Sequence, residues 1–154
     1  MKFSAREDIE APIDQVYAQV TDFAGFERQM MRRGADVCRM DPGQPVAIGS
    51  IWDVAFTFRS REQCLRAVVA SMHAPTDVVI DLASNGLDGK TTVELVALSP
   101  QRTRLSVSID LSAKSLSARL LLQSLKLAKS NLTNRFKKRV AEFSKGIESD
   151  KRSV

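Results

Sequence analysis

The residue types that carry most enzyme chemistry are few and scattered in this chain. His73 is the single histidine, so an imidazole-based metal site has no second ligand of its kind, and a Ser-His-Asp arrangement has only this ring to use. It stands beside Ala74-Pro75 at the close of an alternating segment, where a solvated turn histidine is the plainer reading. Cys38 and Cys64 are the two cysteines. They lie far apart, with no Cys-x-x-Cys spacing and no histidine nearby, which predicts small buried thiols in a reducing compartment rather than a disulfide or metal pair. No glycine-rich phosphate loop, dinucleotide fingerprint or zinc-ligand spacing occurs. The residues therefore specify no metal and no cofactor.

The carboxylates do not converge either. Asp53, Asp81, Glu94 and Asp110 alternate with apolar residues and so fall on the face opposite them; a general acid would sit in a dry cavity instead. Tyr17, the sole tyrosine, is open to two roles: a donor inside a cavity, or packing of a helix on a sheet. Lys129 follows Leu125 by four positions and precedes Leu132 by three, within an apolar helical stripe, and Arg139 lies at its edge. Such a lysine either holds the carboxylate of an apolar ligand or lays its methylenes on apolar surface with the ammonium in water. Arg66 depends on register. A two-residue turn at Arg59-Ser60 points Leu65, Ala67 and Val69 inward, whereas one more residue would turn Cys64, Arg66 and Val68 in. The first is favoured, because an unpaired buried charge is costly.

The elements that must position these residues are punctuated clearly. Ile13, Val16, Tyr17 and Val20 recur at helical spacing after Pro12, which suits the first helical position. Asp22 is a good N-cap for a second short helix that ends at Gly34. Alternating segments follow at 35–40, 52–58, 62–72, 77–82, 92–97 and 104–111, separated by turn clusters. From 113 to 144 the pattern returns to a helix, with Ala118, Leu121, Leu122, Leu125, Ala128, Leu132, Phe136, Val140 and Phe143 on one stripe. Residues 1–145 read as one domain and 146–154 as a disordered polar tail. The composition, 44% hydrophobic and 27% charged, is that of a soluble globular chain. No apolar run is long enough to cross a bilayer and the N-terminus has no signal-peptide core, so a cytoplasmic protein is expected.

The stretch from Ile9-Glu10-Ala11-Pro12 to Asp22-Phe23 resembles the opening of the START/Bet v 1-like (SRPBCC) superfamily, in particular its bacterial polyketide cyclase/dehydrase-like members. Gly49-x-x-Trp52 and the run Leu98-Ser99-Pro100-Gln101-Arg102-Thr103-Arg104-Leu105 are weaker echoes. The resemblance implies an α+β helix-grip fold: a curved antiparallel sheet of about seven strands, two short N-terminal helices and a long C-terminal helix packed across the sheet. It also implies a cavity between sheet and helix for an apolar molecule. The residues expected to line it are Trp52, Val54, Phe56, Phe58, Ile80, Leu82, Val93, Leu95, Leu105, Val107 and Ile109 from the sheet, with Leu121, Leu125, Ala128, Lys129 and Leu132 opposite.

The first functional reading is a binding protein for a hydrophobic small molecule or lipid, with no catalytic residue. The second is a cyclase-like enzyme, for which Arg66, Lys129 and Tyr17 are the polar candidates. The third is an interaction module. From Lys114 onward there are 11 Lys/Arg against 3 Asp/Glu within an overall charge of +5, enough to attract an anionic partner. A solvated helix face accounts for that run as well, and a nucleic-acid partner is disfavoured. Leu116, Leu120 and Leu127 lie opposite the core stripe, where they mark a contact such as a homodimer or are scattered surface leucines.

Overall fold

Alternation of apolar and polar residues builds the strands, and tight turns set their register. In the computed structural model, which describes residues 1–152, the chain runs β1 (Lys2–Ile9), α1 (Ile13–Val20), α2 (Phe23–Arg32), β2 (Asp36–Arg39), β3 (Ile51–Phe58), β4 (Arg61–His73), β5 (Asp77–Ser84), β6 (Leu87–Ser99), β7 (Arg102–Ala113), α3 (Leu116–Leu127) and α4 (Lys129–Arg152). The strands form one antiparallel sheet in the order β1-β7-β6-β5-β4-β3-β2. The expected α+β arrangement is present.

Arg59 and Ser60, with φ of 51° and 64°, form the two-residue turn that pairs Phe58 with Arg61. Positive φ at both central residues gives a hairpin twist that matches the strands. Leu65 and Ala67 therefore sit opposite Val54 and Trp52 on the dry face, and Arg66 sits opposite Asp53 on the other. In β4 an extra residue, Ala70, bulges out between Val69 and Ser71, so that Met72 returns to the inner face opposite Val78.

Pro12 stands one position ahead of α1, and its carbonyl accepts the Val16 amide at 3.1 Å. Asp22 caps α2 by accepting the Gly25 amide at 3.1 Å. α4 lies chiefly along β1. There Val140 and Ile147 join Ile9, Ala11, Val16 and Leu105 in the core, and the Phe3 and Phe136 rings stand 6.5 Å apart.

Three expectations need correction. The single helix over 113–144 is divided at Ala128, with φ −106° and ψ 16°. No proline or glycine marks the break, so the apolar period reads through it, but Ala128 and Lys129 are left exposed at the junction. The tail is not a disordered segment where it is described: α4 continues to Arg152, and Ile147 is 2% exposed. Ile147 lies seven residues after Val140, on the same helical face. Ser153 and Val154 lie outside the described residues. Cys38 and Cys64 are exposed rather than buried, because strand alternation places them on the face opposite Trp52 and Val54.

That outer face is a lattice of cross-strand ion pairs. Arg66 meets Asp53 through two bonds of 2.8 and 2.9 Å, Arg104 meets Asp8 at 2.9 and 3.3 Å, and Lys90 lies 4.0 Å from Asp81. The Arg104 guanidinium holds the Asp8 carboxyl below its usual range, and Arg66 does the same for Asp53. A lowered carboxylate pKa contributes stability that is present above the unfolded value and lost as pH falls through the folded one. Asp8→Asn should therefore lower Tm at neutral pH, and its difference from the wild type should narrow progressively as pH falls below about 4; a gap that stays constant through that fall would refute the ion-pair account.

Gly86 couples a turn to a helix. Its φ is 81°, and an added Cβ would stand 2.4 Å from the Oγ of Ser115, which caps α3 by accepting the Ala118 amide at 3.1 Å. Gly86→Ala should cost about 2 kcal/mol, from backbone strain plus the displaced cap, read as a lower urea midpoint with loss of helical circular dichroism.

Candidate ligand-binding cleft

The apolar face of the sheet is not covered evenly. α4 sits over β1, α1 and α2 close one end, and between them an open cleft of about 770 Å³ reaches the sheet centre. Its floor is Val78 and Ile80 from β5, Thr91 and Val93 from β6, and Leu105 and Val107 from β7. Cross-strand pairing puts Val93 between Val78 and Val107, so three short β-branched side chains meet there. The walls are Val20, Phe23 and Phe26 on one side and Phe136, Val140, Phe143 and Ile147 on the other. Phe26 and Phe143 touch across the gap, with ring centroids 5.8 Å apart. Gln19, Gln29, Arg33, Arg139 and Glu142 form its polar part.

Of the residues expected to line a cavity, Ile80, Val93, Leu105 and Val107 meet in this cleft. Leu95 is buried in the core beside it. Ile109 pairs with Phe3 nearer the β1 edge, and Leu82 lies opposite Ala67 and Gly89. Leu121, Leu125 and Leu132 are partly buried, whereas Ala128 and Lys129 are exposed. Val54 is buried, Phe56 is half-buried and Phe58 is exposed at the far end of β3.

Trp52 has a different task. Its ring packs 5.1 Å from Phe23, its Nε1–H donates to Glu27 Oε1 at 2.5 Å, and the Arg39 guanidinium lies 5.6 Å above it. It ties α2 to β3 and so fixes one wall of the cleft without lining it. The apolar cleft-lining residues that sequence reasoning missed include Val78 on the floor, Val20 on α1, Phe23 and Phe26 on α2, and Phe136, Val140, Phe143 and Ile147 on α4, and the arginines missed are Arg33 and Arg139. The signal available was the helical spacing of Phe26 and Phe23 after the Asp22 cap.

Ser71, His73 and Asp77 do come together at the surface, but not as a catalytic triad. Ser71 Oγ lies 3.2 Å and Asp77 Oδ2 3.1 Å from the same atom, His73 Nδ1. A relay needs the hydroxyl on one ring nitrogen and the carboxylate on the other. The His73 contact holds the Asp77 carboxyl below its usual range. Tyr17 is buried, and its hydroxyl donates to the Asp77 carbonyl at 3.4 Å; burial, with the Asp77 charge adding to it, raises its pKa. Both features keep the phenol protonated and turned to backbone. Among the described residues no helix is long and apolar enough to cross a membrane, and no group of three or more His, Cys, Asp or Glu side chains could hold a metal ion.

No family model and no curated protein sequence matches the chain. Solved structures do. The Zhui aromatase/cyclase from Streptomyces sp. R1128 aligns over 96% of this chain and 93% of its own, with a TM-score of 0.65 at 10% identity. Ara h 8.0201 aligns over 100% and 99%, with a TM-score of 0.61 at 11% identity. The fold is the START/Bet v 1-like helix grip. TTHA0849 from Thermus thermophilus shares it over 97% of this chain and 99% of its own, with a TM-score of 0.65 at 10% identity. In this helix-grip chain the gripping helix is split, and the part beyond the split lines the cleft.

Trp52→Phe removes the indole N–H from Glu27 and keeps an aromatic body. It should cost about 1 kcal/mol in stability, measured by urea unfolding; an unchanged midpoint would remove the indole–Glu27 bond as an anchor of α2.

Proposed function

We propose that the chain binds an apolar small molecule or lipid in the cleft between the sheet, α2 and α4. The observation that carries this reading is the lining: valine, isoleucine, leucine and phenylalanine on floor and walls, with polar side chains confined largely to the lip. At about 770 Å³ the cleft falls in the size range of small-molecule sites, which are mostly apolar with a few placed polar groups. The fold shared with an aromatase/cyclase and with Ara h 8.0201 supports a cleft-forming architecture without specifying the chemistry. The cleft residues themselves favour binding over catalysis: among the described residues the titratable side chains on its lining are Arg33, Arg139 and Glu142, all exposed.

The test is uptake of the uncharged fluorophore Nile red. The wild type should enhance and blue-shift its emission in a saturable, stoichiometric way. Val93→Phe and Val107→Phe, which fill the floor, should weaken uptake about tenfold while keeping a cooperative unfolding transition. No saturable uptake by the wild type would remove the reading. Equal uptake by both filled variants would move the site elsewhere.

A further inference from the structure

We infer that the ligand of this cleft is an anionic amphiphile, an apolar body ending in one acid group, whose acid is held by Arg33 and Arg139 at the lip. The inference rests on the reading of the cleft as a binding site and names the class of molecule it takes.

Most arginines on the sheet have structural partners. Arg66 is bound to Asp53, Arg104 to Asp8 and Arg102 to Glu10, and Arg39 donates to the Gln44 carbonyl. Arg33 and Arg139 differ. They come from separate helices, both line the cleft, both are exposed, and neither guanidinium makes an ion pair or side-chain hydrogen bond among the described residues. Each extends the face that its helix turns to the other. Arg33, at the C-terminal cap of α2, lies seven residues after Phe26, and Arg139 lies four residues before Phe143 on α4; both spacings return to the same helical face. Those two phenylalanines are the rings that touch across the cleft.

The lip thus carries two guanidinium groups above apolar walls. Among the described residues Glu142 is the one carboxylate on the lining and forms an ion pair with neither arginine, so the described lining carries a net positive charge. A guanidinium is always protonated and presents paired donors that match a carboxylate or phosphate. An acid at the lip would gain charge-assisted hydrogen bonds there while its apolar body lies on Val78, Val93 and Val107. An uncharged ligand of the same shape would gain only the second part.

Displacement of Nile red by dodecanoic acid and by dodecanol, at low ionic strength, tests this. The wild type should bind the acid about tenfold more tightly than the alcohol, as expected for one or two charge-assisted bonds at an exposed site. Arg33→Gln and Arg139→Gln should each reduce that preference, and the double variant should abolish it, with saturable Nile red uptake and a cooperative unfolding transition retained as the control for an intact cleft. Equal binding of acid and alcohol by the wild type would overturn the inference and leave the cleft reading standing, as would a preference that survives in the double variant. Failure of the wild type to take up Nile red or either competitor would overturn both.

Discussion

The hairpin register at Arg59-Ser60 governs which side of the sheet is dry, and the rest of the interior depends on it. Two non-glycine residues at positive φ cost of the order of 1 kcal/mol each. What offsets that strain is the alternative. A turn longer by one residue would reverse the faces of β4, taking Val69 out of the core, where it is fully buried, and moving Arg66 away from Asp53 into the interior. Burial of one valine is worth about 1.5 kcal/mol or more, and an unpaired guanidinium in the core would add several kcal/mol of penalty. The strained turn is therefore the more stable arrangement by a clear margin. The bulge at Ala70 serves the same end, because it lets Met72 rejoin the inner face after the strand has curved.

Once the faces are set, two anchors decide where the dry face is covered. Trp52 grips α2 through Phe23 and Glu27, so α2 stands over the β3 side of the sheet. Ile147, Val140 and Phe136 bind α4 over β1. The two helices meet through Phe26 and Phe143 and leave the centre of the sheet between them. The residues at that centre are short. The large side chains Trp52, Phe3 and Phe136 work at the margins, whereas Val78, Val93 and Val107 face one another in the middle. The cleft follows from the placement of small floor residues between two large-residue anchors.

This division explains what was legible in the sequence. Strand faces were readable because a period of two admits only two answers, and the cost of burying Arg66 chose between them. The cap at Asp22 and the stop at Gly34 were readable because each has a local chemical cause. The position of α4 over the edge of the sheet was not: amphipathic periodicity names a helix's buried face but not the strand it meets. That is why Ala128 and Lys129, on the expected stripe, are exposed at the break, and why Ile147, in the segment expected to be a polar tail, is in the core. The exposed cysteines follow from the same limit. Residue type predicted burial, and strand alternation overrode it.

The size of the cleft constrains its state. Sealed and empty, a void of about 770 Å³ would cost roughly 18 kcal/mol at about 24 cal/mol per Å³, more than the whole stability of a typical domain, about 5–15 kcal/mol. The volume is tolerable only because its mouth is open to water. An open apolar cleft in turn leaves Phe23, Phe26 and Phe143 partly hydrated, and an apolar occupant would remove that hydration. An occupant of the proposed kind would therefore stabilise the fold, since whatever binds the native state alone stabilises it. The guanidinium groups on the lining fit this arrangement, because with the cleft vacant they stand in water at little cost.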